Sequence, residues 1–63
     1  MVNRVETIEL TGLEQSEVIE EFENDVRKKK YKGWELLSYS RYTNGYEFCI
    51  KYEMVRLHYN VWG

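Results

Sequence analysis

The sequence contains no proline, a single cysteine and a single histidine among its 63 residues. The lone Cys49 excludes an internal disulfide and a cysteine-based metal cluster, and it favours a reducing compartment. No apolar run approaches the ~20 residues of a membrane-spanning helix, and the first residues lack the apolar core of a signal peptide. We therefore expect a cytoplasmic protein without membrane association.

Residues that could carry catalysis are few. An enzyme needs a positioned nucleophile, acid, base or metal ion, and the only histidine, His58, alternates outward in the terminal segment. The sequence also lacks a Gly-rich phosphate loop, paired cysteine ligands and a His-x-x-x-His motif. Five glutamates of the predicted helix are expected to be solvated rather than to hold a cation: Glu14, Glu17, Glu20, Glu21 and Glu23. We predict that the protein is not an enzyme and takes no cofactor or metal.

The length allows one domain, so residues 1–63 are treated as a single unit. A chain this short buries only about 60% of its unfolded surface, and oligomerisation is a common way to bury more. Six tyrosines against two phenylalanines favour half-buried and interfacial positions, where tyrosine is enriched. These features predict a small ordered domain that binds a partner or a second copy of itself.

The first half of the sequence predicts a strand followed by a helix. Arg4–Leu10 contains the β-branched residues typical of a strand. Thr11-Gly-Leu-Glu14 matches a capping box, with Ser16 as the rival N-cap, and the helix is predicted to run to about Lys30. Gly33 suits the left-handed position that ends a helix. An apolar stripe marks the buried side of this helix: Val18, Ile19, Phe22 and Val26.

Charge is divided between the two halves of the chain. Residues 1–26 carry eight acids against one base, whereas residues 27–63 carry eight bases against three acids. Acidic residues near the positive start of the helix dipole and basic residues near its negative end both stabilise the helix. Helix electrostatics and a solvated face therefore explain most of this division.

Asn44-Gly45 predicts a hairpin, because both residues accept the positive φ of a type I′ turn. A two-residue turn there places Tyr39 opposite Ile50 and fixes which residues share each face. The other face, away from the helix, is predicted to carry Trp34 and Leu36 at its far end. The predicted core comprises Ile8, Val18, Phe22, Val26, Leu37, Tyr39, Phe48, Ile50 and Tyr52.

After Met54 the apolar positions shift from even to odd numbers, beginning at Val55. Such a shift marks a bulge, a bend or an additional strand. We predict an α+β fold in β-α-β-β order, with an antiparallel or mixed sheet of three to four strands and one helix packed on one face. The last strand of the hairpin is placed in the centre because it is the most apolar.

The run Gly33-Trp34-Glu35-Leu36-Leu37-Ser38 resembles a family of small uncharacterised bacterial and phage proteins that have a Gly-Trp-Glu-Leu motif between a helix and a hairpin. The likeness covers roughly residues 4–54 and implies the same β-α-β-β fold. The family carries no established catalytic residues, so the resemblance implies no activity.

Apolar residues that the helix leaves uncovered predict a protein interface: Trp34, Leu36, Val55, Leu57, Tyr59 and Trp62. A homodimer through this sheet face, formed by exchange of the terminal segment or by pairing of edge strands, would bury them most simply. Alternatively, these residues complete the core of a monomer.

Size and composition are also typical of phage or mobile-element proteins that inhibit a host protein, such as the anti-CRISPR inhibitors of nucleases. A protein of this kind acts in the host cytoplasm. An acidic helix face could then mimic phosphate and occupy the basic groove of a host nucleic-acid enzyme: Glu14, Glu17, Glu20, Glu21 and Asp25. Binding and inhibition of a host protein is the leading hypothesis.

The alternative hypotheses are a purely structural homodimer and nucleic-acid binding, in which basic side chains hold phosphates and aromatic rings stack on nucleobases. The phosphate-binding residues would be Arg27, Lys28, Lys29, Lys30, Lys32, Arg41, Lys51 and Arg56, and the stacking residues would be Tyr31, Trp34 and Tyr42. The isoelectric point of about 5.3 argues against nucleic-acid binding, because nucleic-acid-binding domains usually exceed about 9.

Overall fold

The computed structural model describes residues 4–56, which form four elements in the order strand, helix, strand, strand. Their bounds are Arg4–Gly12 (β1), Gln15–Tyr31 (α1), Trp34–Asn44 (β2) and Glu47–Arg56 (β3). The strands form one sheet in the order β1-β3-β2, and β3 is antiparallel to both neighbours. The predicted α+β class and the central position of the last hairpin strand are confirmed. The fourth strand considered beyond Arg56 lies outside the described residues.

Helix α1 covers one face of this sheet. The apolar stripe of the helix packs against a fully buried row on the central strand, formed by Ile50, Tyr52 and Met54. The rings of Phe22 and Tyr52 meet edge to face, with 4.8 Å between their centroids. The predicted stripe of Val18, Ile19, Phe22 and Val26 is confirmed, because the first is buried and the others pack against the same cluster.

The start of α1 differs from the prediction. Thr11 stays in β1 opposite Cys49, and Glu14 occupies the N-cap position without a side-chain capping bond. The predicted capping box and the rival cap at Ser16 are therefore both wrong. Thr11 is β-branched, which favours its place in the sheet. Gly12, the next residue, brings the end of β1 close to α1. A Cβ on Gly12 would lie 2.9 Å from Cγ2 of Val18, so only glycine allows this approach without rearrangement.

The end of α1 follows the prediction. Gly33 has a φ of +93°, and its backbone N–H donates to the carbonyl oxygen of Lys30 at 3.1 Å. The N–H of Lys32 donates to the carbonyl oxygen of Lys29 at 3.0 Å. These bonds satisfy carbonyls that the helix end would otherwise leave free. The chain then enters β2 at Trp34.

The hairpin turn lies one residue later than predicted. Asn44 pairs with Glu47, so the two loop residues are Gly45 and Tyr46. Gly45 has a φ of +65°, whereas no residue other than glycine has a positive φ within residues 4–56. Positive φ at the first loop position alone defines a type II′ turn rather than type I′. Tyr39 consequently lies opposite Tyr52 instead of Ile50.

A β-bulge at Leu37 decides which side chains of β2 face the helix. The register of β2 against β3 shifts between Leu36 and Ser38, and an extra residue reverses the alternation beyond it. Trp34 and Leu36 therefore lie on the helix side, where the indole is only 8% exposed. The side chain of Leu37 is 57% exposed. The predicted placement of Trp34 and Leu36 on the uncovered face, and of Leu37 in the core, is wrong.

The physical reason is the apolar area that each arrangement removes from water. Burying Trp34 and Leu36 against the helix removes more apolar area from water than burying Leu37 alone, so it stabilises the fold more.

The break in alternation expected at Val55 does not occur there, since the pairing of β1 with β3 runs evenly from Arg4 to Gly12. Tyr39, also predicted as core, contacts Phe22 with 5.4 Å between ring centroids but remains 57% exposed.

Candidate functional site

The structure describes three of the six residues predicted for a protein interface. Trp34 is buried in the core and offers little surface to a partner, whereas Leu36 packs against the core on the helix side and is only partly buried. Val55 stays on the uncovered side of the sheet, half-buried between Val5 and Glu35. The remaining predicted interface residues lie outside the described residues: Leu57, Tyr59 and Trp62.

The sheet face opposite α1, hereafter the open face, carries a net negative charge among its described residues. The alternation of the described strands places on it four glutamates and one lysine: Glu9, Glu35, Glu47, Glu53 and Lys51. Ser38 donates a hydrogen bond of 2.9 Å to Glu53 across β2 and β3. Stacking two copies through this face would oppose like charges, so electrostatics disfavour the predicted homodimer through it.

The outer edge of β2 is a stronger candidate for protein binding. In the described part of the chain β2 is bonded to β3 alone, so its outer backbone groups have no strand partner. This strand is eleven residues long and carries three exposed large apolar side chains: Leu37, Tyr39 and Tyr42. Unpaired backbone and exposed apolar surface thus coincide on one strand.

A groove between α1 and β2 adjoins this edge. Its walls are formed by Phe22, Val26 and Leu36, and its volume is about 440 Å³. Glu23, Arg27 and Lys30 complete the lining, which therefore has two cations and one carboxylate. We call the outer edge of β2 together with this groove the β2-edge site.

A polar network on the other side of α1 ties the helix to the sheet. The Tyr52 hydroxyl donates to a carboxylate oxygen of Asp25. Nζ of Lys29 lies 3.9 Å from Oδ1 of Asp25 and 3.6 Å from Oε1 of Glu6. The same Nζ lies 5.8 Å from the centroid of the Trp34 ring, within cation–π range. Burial, followed by the hydrogen bond and charge of Asp25, raises the pKa of Tyr52 above its ordinary value.

This network predicts a pH-dependent contribution of Tyr52 to stability. Since the folded-state pKa is raised, the contribution is complete below the ordinary tyrosine pKa of about 10 and is lost as the pH rises through the folded-state value. Tyr52→Phe should lower the free energy of unfolding by about 1–2 kcal/mol at neutral pH. The difference between wild type and variant should shrink above a pH of about 10. Urea unfolding of both proteins at neutral pH and above a pH of about 10 measures this difference in the free energy of unfolding. Equal stability of the two proteins at neutral pH would contradict the prediction.

The acidic helix face is smaller than predicted. Glu14, Glu17, Glu20 and Glu21 are exposed, as a phosphate mimic requires. Asp25 instead turns towards Tyr52 and Lys29. The structure therefore leaves four of the five predicted acids available to a basic partner.

The predicted nucleic-acid residues do not all lie on one surface. Arg27, Lys28, Lys30, Tyr31 and Lys32 are exposed at the end of α1. Lys29 is engaged by two carboxylates, and Trp34 is too buried to stack on a base. Arg41 lies opposite Ile50, about 20 Å along the strand from the end that carries Arg56. Arg4, which sequence reasoning missed, lies directly opposite Arg56 at that end.

Cys49 shows no features of a reactive thiol. It is fully buried on the central strand, between Thr11 and Tyr42. Burial, with smaller effects from Glu47 and Glu9, raises the pKa of the thiol, and a raised pKa disfavours the nucleophilic thiolate. His58, the other residue considered for catalysis, lies outside the described residues.

Residues 4–56 contain no group of three or more His, Cys, Asp or Glu side chains arranged to hold a metal ion. Over the same range, α1 is neither long enough nor apolar enough to cross a membrane.

Comparison of the chain with models of known protein families, with curated proteins and with solved structures finds no match. The resemblance through the Gly-Trp-Glu-Leu motif therefore stays a prediction. The structure does give its residues physical roles, because Gly33 ends the helix while Trp34 and Leu36 begin β2 inside the core.

Proposed function

We propose that this protein is a non-enzymatic module that binds another protein at the β2-edge site. The supporting observation is the coincidence of an unpaired eleven-residue strand, exposed Leu37 and Tyr39, and an apolar groove along the same flank. An extended segment that pairs with such an edge gains main-chain hydrogen bonds, and its alternate side chains enter the adjoining groove.

The lining of the groove favours an acidic partner segment. Arg27 and Lys30 outnumber Glu23 there, while Phe22, Val26 and Leu36 supply the apolar walls. Charge complementarity sets specificity and association rate in such contacts. The proposed ligand is therefore an extended segment in which apolar residues alternate with residues that include Asp or Glu.

A second copy of the chain is the competing occupant. The regular part of β2 begins after the bulge, at Ser38. Two such strands paired antiparallel about Ser40 would place Tyr39 of each copy opposite Arg41 of the other, within cation–π reach. Unlike stacking of the open faces, this arrangement does not oppose clusters of carboxylates.

The test uses a displayed library of nine-residue peptides with alternating apolar and randomised positions and no proline. We expect enriched peptides to carry Asp or Glu at randomised positions, and to protect β2 amides from hydrogen exchange. Leu37→Lys combined with Tyr39→Lys should abolish binding, because charged side chains at an edge block strand addition. Val5→Lys on β1 is the matched control, since Val5 is 54% exposed, and it should bind normally.

Two results would overturn the proposal. Peptides that bind the Leu37→Lys, Tyr39→Lys protein as well as wild type would place the binding site elsewhere. Light scattering that shows a wild-type dimer, made monomeric by the same substitutions, would assign the β2 edge to self-association instead. Inhibition of a host nuclease by a phage-encoded protein stays a prediction, and the acidic helix face is the surface to test for it.

A further inference from the structure

The end of the molecule at which α1 stops carries a cluster of cations drawn from three elements. Arg4 and Arg56 are direct cross-strand partners, and Trp34 lies on the other side of Arg56. The helix end is held against this part of the sheet, because Lys29 contacts Glu6 and the Trp34 ring. We call the exposed residues of this region the basic cap: Arg4, Lys28, Lys30, Tyr31, Lys32 and Arg56.

Both arginines lie on the helix side of the sheet. Arg56 follows Met54 and Tyr52 in the alternation that faces α1, and Arg4 precedes Glu6 in the corresponding row of β1. Lys28 lines the groove on the β1 side of the helix, whereas Lys30 lines the groove on the β2 side. The cations of the basic cap therefore surround the helix end.

Helix electrostatics explain only part of the basic cap. The lysines in the last turn oppose the negative end of the helix macrodipole, as expected. Arg4 and Arg56 are not on the helix, and like charges directly opposite each other in a sheet are destabilising. Their pairing is thus unfavourable for the fold, which suggests that it serves a ligand.

The carboxylates near the basic cap leave its cations available. Within residues 4–56, Glu6 and Asp25 both contact Lys29, and Lys29 is the only lysine or arginine that forms an ion pair. Glu35 is the partner of Val55 on the open face, away from the cap. Tyr31 adds a stacking surface, since its side chain is 87% exposed.

From this arrangement we infer that the basic cap binds the phosphodiester backbone of single-stranded nucleic acid, with Tyr31 stacking on a base. Five cations spread around the helix end suit several consecutive phosphates, and one flat exposed ring suits an unpaired base. The basic cap shares Lys30 with the groove of the β2-edge site, but its other residues lie outside that site and the inference does not depend on peptide binding there.

The decisive variant is Arg4→Glu, compared with Arg41→Glu. Each makes the same change of charge, but Arg41 lies outside the basic cap. Fluorescence anisotropy with a labelled oligothymidylate of twelve nucleotides, in about 50–200 mM salt, measures affinity and its salt dependence. We expect Arg4→Glu to weaken binding about tenfold and to flatten the salt dependence, because phosphate contacts are lost. Arg41→Glu should remain within about twofold of wild type.

Folding and stacking are checked on the same proteins. Arg4→Glu places a carboxylate opposite Arg56, so its urea midpoint should equal or exceed that of wild type. Tyr31→Ala should weaken binding of the oligonucleotide but not of inorganic polyphosphate, which has no bases to stack.

Three outcomes would overturn the inference. They are absence of binding by wild type at the lowest salt, equal losses in Arg4→Glu and Arg41→Glu, and tighter binding to phosphatidylserine vesicles than to the oligonucleotide. The second outcome would indicate a general effect of net charge, and the third would indicate a membrane surface as the ligand.

Discussion

Trp34→Ala is expected to lower the free energy of unfolding by about 3–5 kcal/mol, the range for truncating a large aromatic side chain in a core. The indole is 8% exposed, packs in the cluster that contains Met54 and Tyr52, and lies beneath the ammonium group of Lys29. Its removal leaves a cavity at the junction of α1 and β2. A loss of this size approaches the whole stability of a small domain.

Urea denaturation followed by circular dichroism measures the effect. Tyr31→Ala is the control, because this neighbouring aromatic residue is 87% exposed and its loss should change stability by less than about 0.5 kcal/mol. If Trp34→Ala is unfolded, Trp34→Phe provides a smaller loss that can be measured. Near-wild-type stability of both Trp34 variants would show that the indole lies on the surface, as the alternation of the sequence suggests.

The second prediction compares the stability effects of substituting two adjacent leucines, Leu36 and Leu37. Leu36→Asp should lower the free energy of unfolding by about 2–4 kcal/mol, because it places a carboxylate against the apolar wall of the core. Leu37→Asp should cost less than about 0.5 kcal/mol, since the bulge turns this side chain outward. The two variants make the same chemical change one residue apart, so each serves as the control for the other.

Urea unfolding of this pair tests the bulge directly. A regular strand from Trp34 to Asn44 would bring Leu37 under the helix and expose Leu36, and the two effects would then be exchanged. A larger loss for Leu37→Asp would therefore refute the register between β2 and β3. Leu37→Asp also matters for function, because it should weaken peptide binding at the β2-edge site without unfolding the protein.

Local pattern was sufficient for the elements and for their order in the sheet. The stripe from Val18 to Val26 has the period of a helix that buries one side, and Gly33 is a residue type that ends helices. The alternating apolar residues from Phe48 to Met54 predict a central strand, because a central strand has neighbours on both edges and one face under the helix. These features depend on residues near one another in sequence, so they can be read without the fold.

The two misplaced local boundaries each involved a choice between close alternatives. Thr11 can cap a helix or pair in a strand, and in the structure it pairs with Cys49 in the sheet. Asn44-Gly45 and Gly45-Tyr46 could each form a two-residue loop with glycine at an allowed position. In the structure Gly45 and Tyr46 form the loop, as a type II′ turn. Differences of about 1 kcal/mol decide such choices, and packing elsewhere in the molecule supplies them.

The candidate sites depended more heavily on the fold. The alternation of β2 assigns Trp34 and Leu36 to the open face unless the bulge at Leu37 is known, and that error produced the predicted apolar interface. Arg4 and Arg56 are far apart in the sequence, and only the pairing of β1 with β3 makes them neighbours. The β2-edge site likewise required the strand order, because an edge exists only relative to the strands beside it.

The sequence by itself determined a β-α-β-β fold with an acidic helix start, a basic helix end and a helix stripe that needs a sheet to cover it. Hydrophobic period, turn residues and charge position are local properties, and they act over a few residues. The tertiary structure alone decided that Trp34 belongs to the core, that the described residues of the open face carry a net negative charge, and that Arg4 joins the basic cap. Each of these follows from strand register, which is set by the free energy of burying side chains from distant segments together.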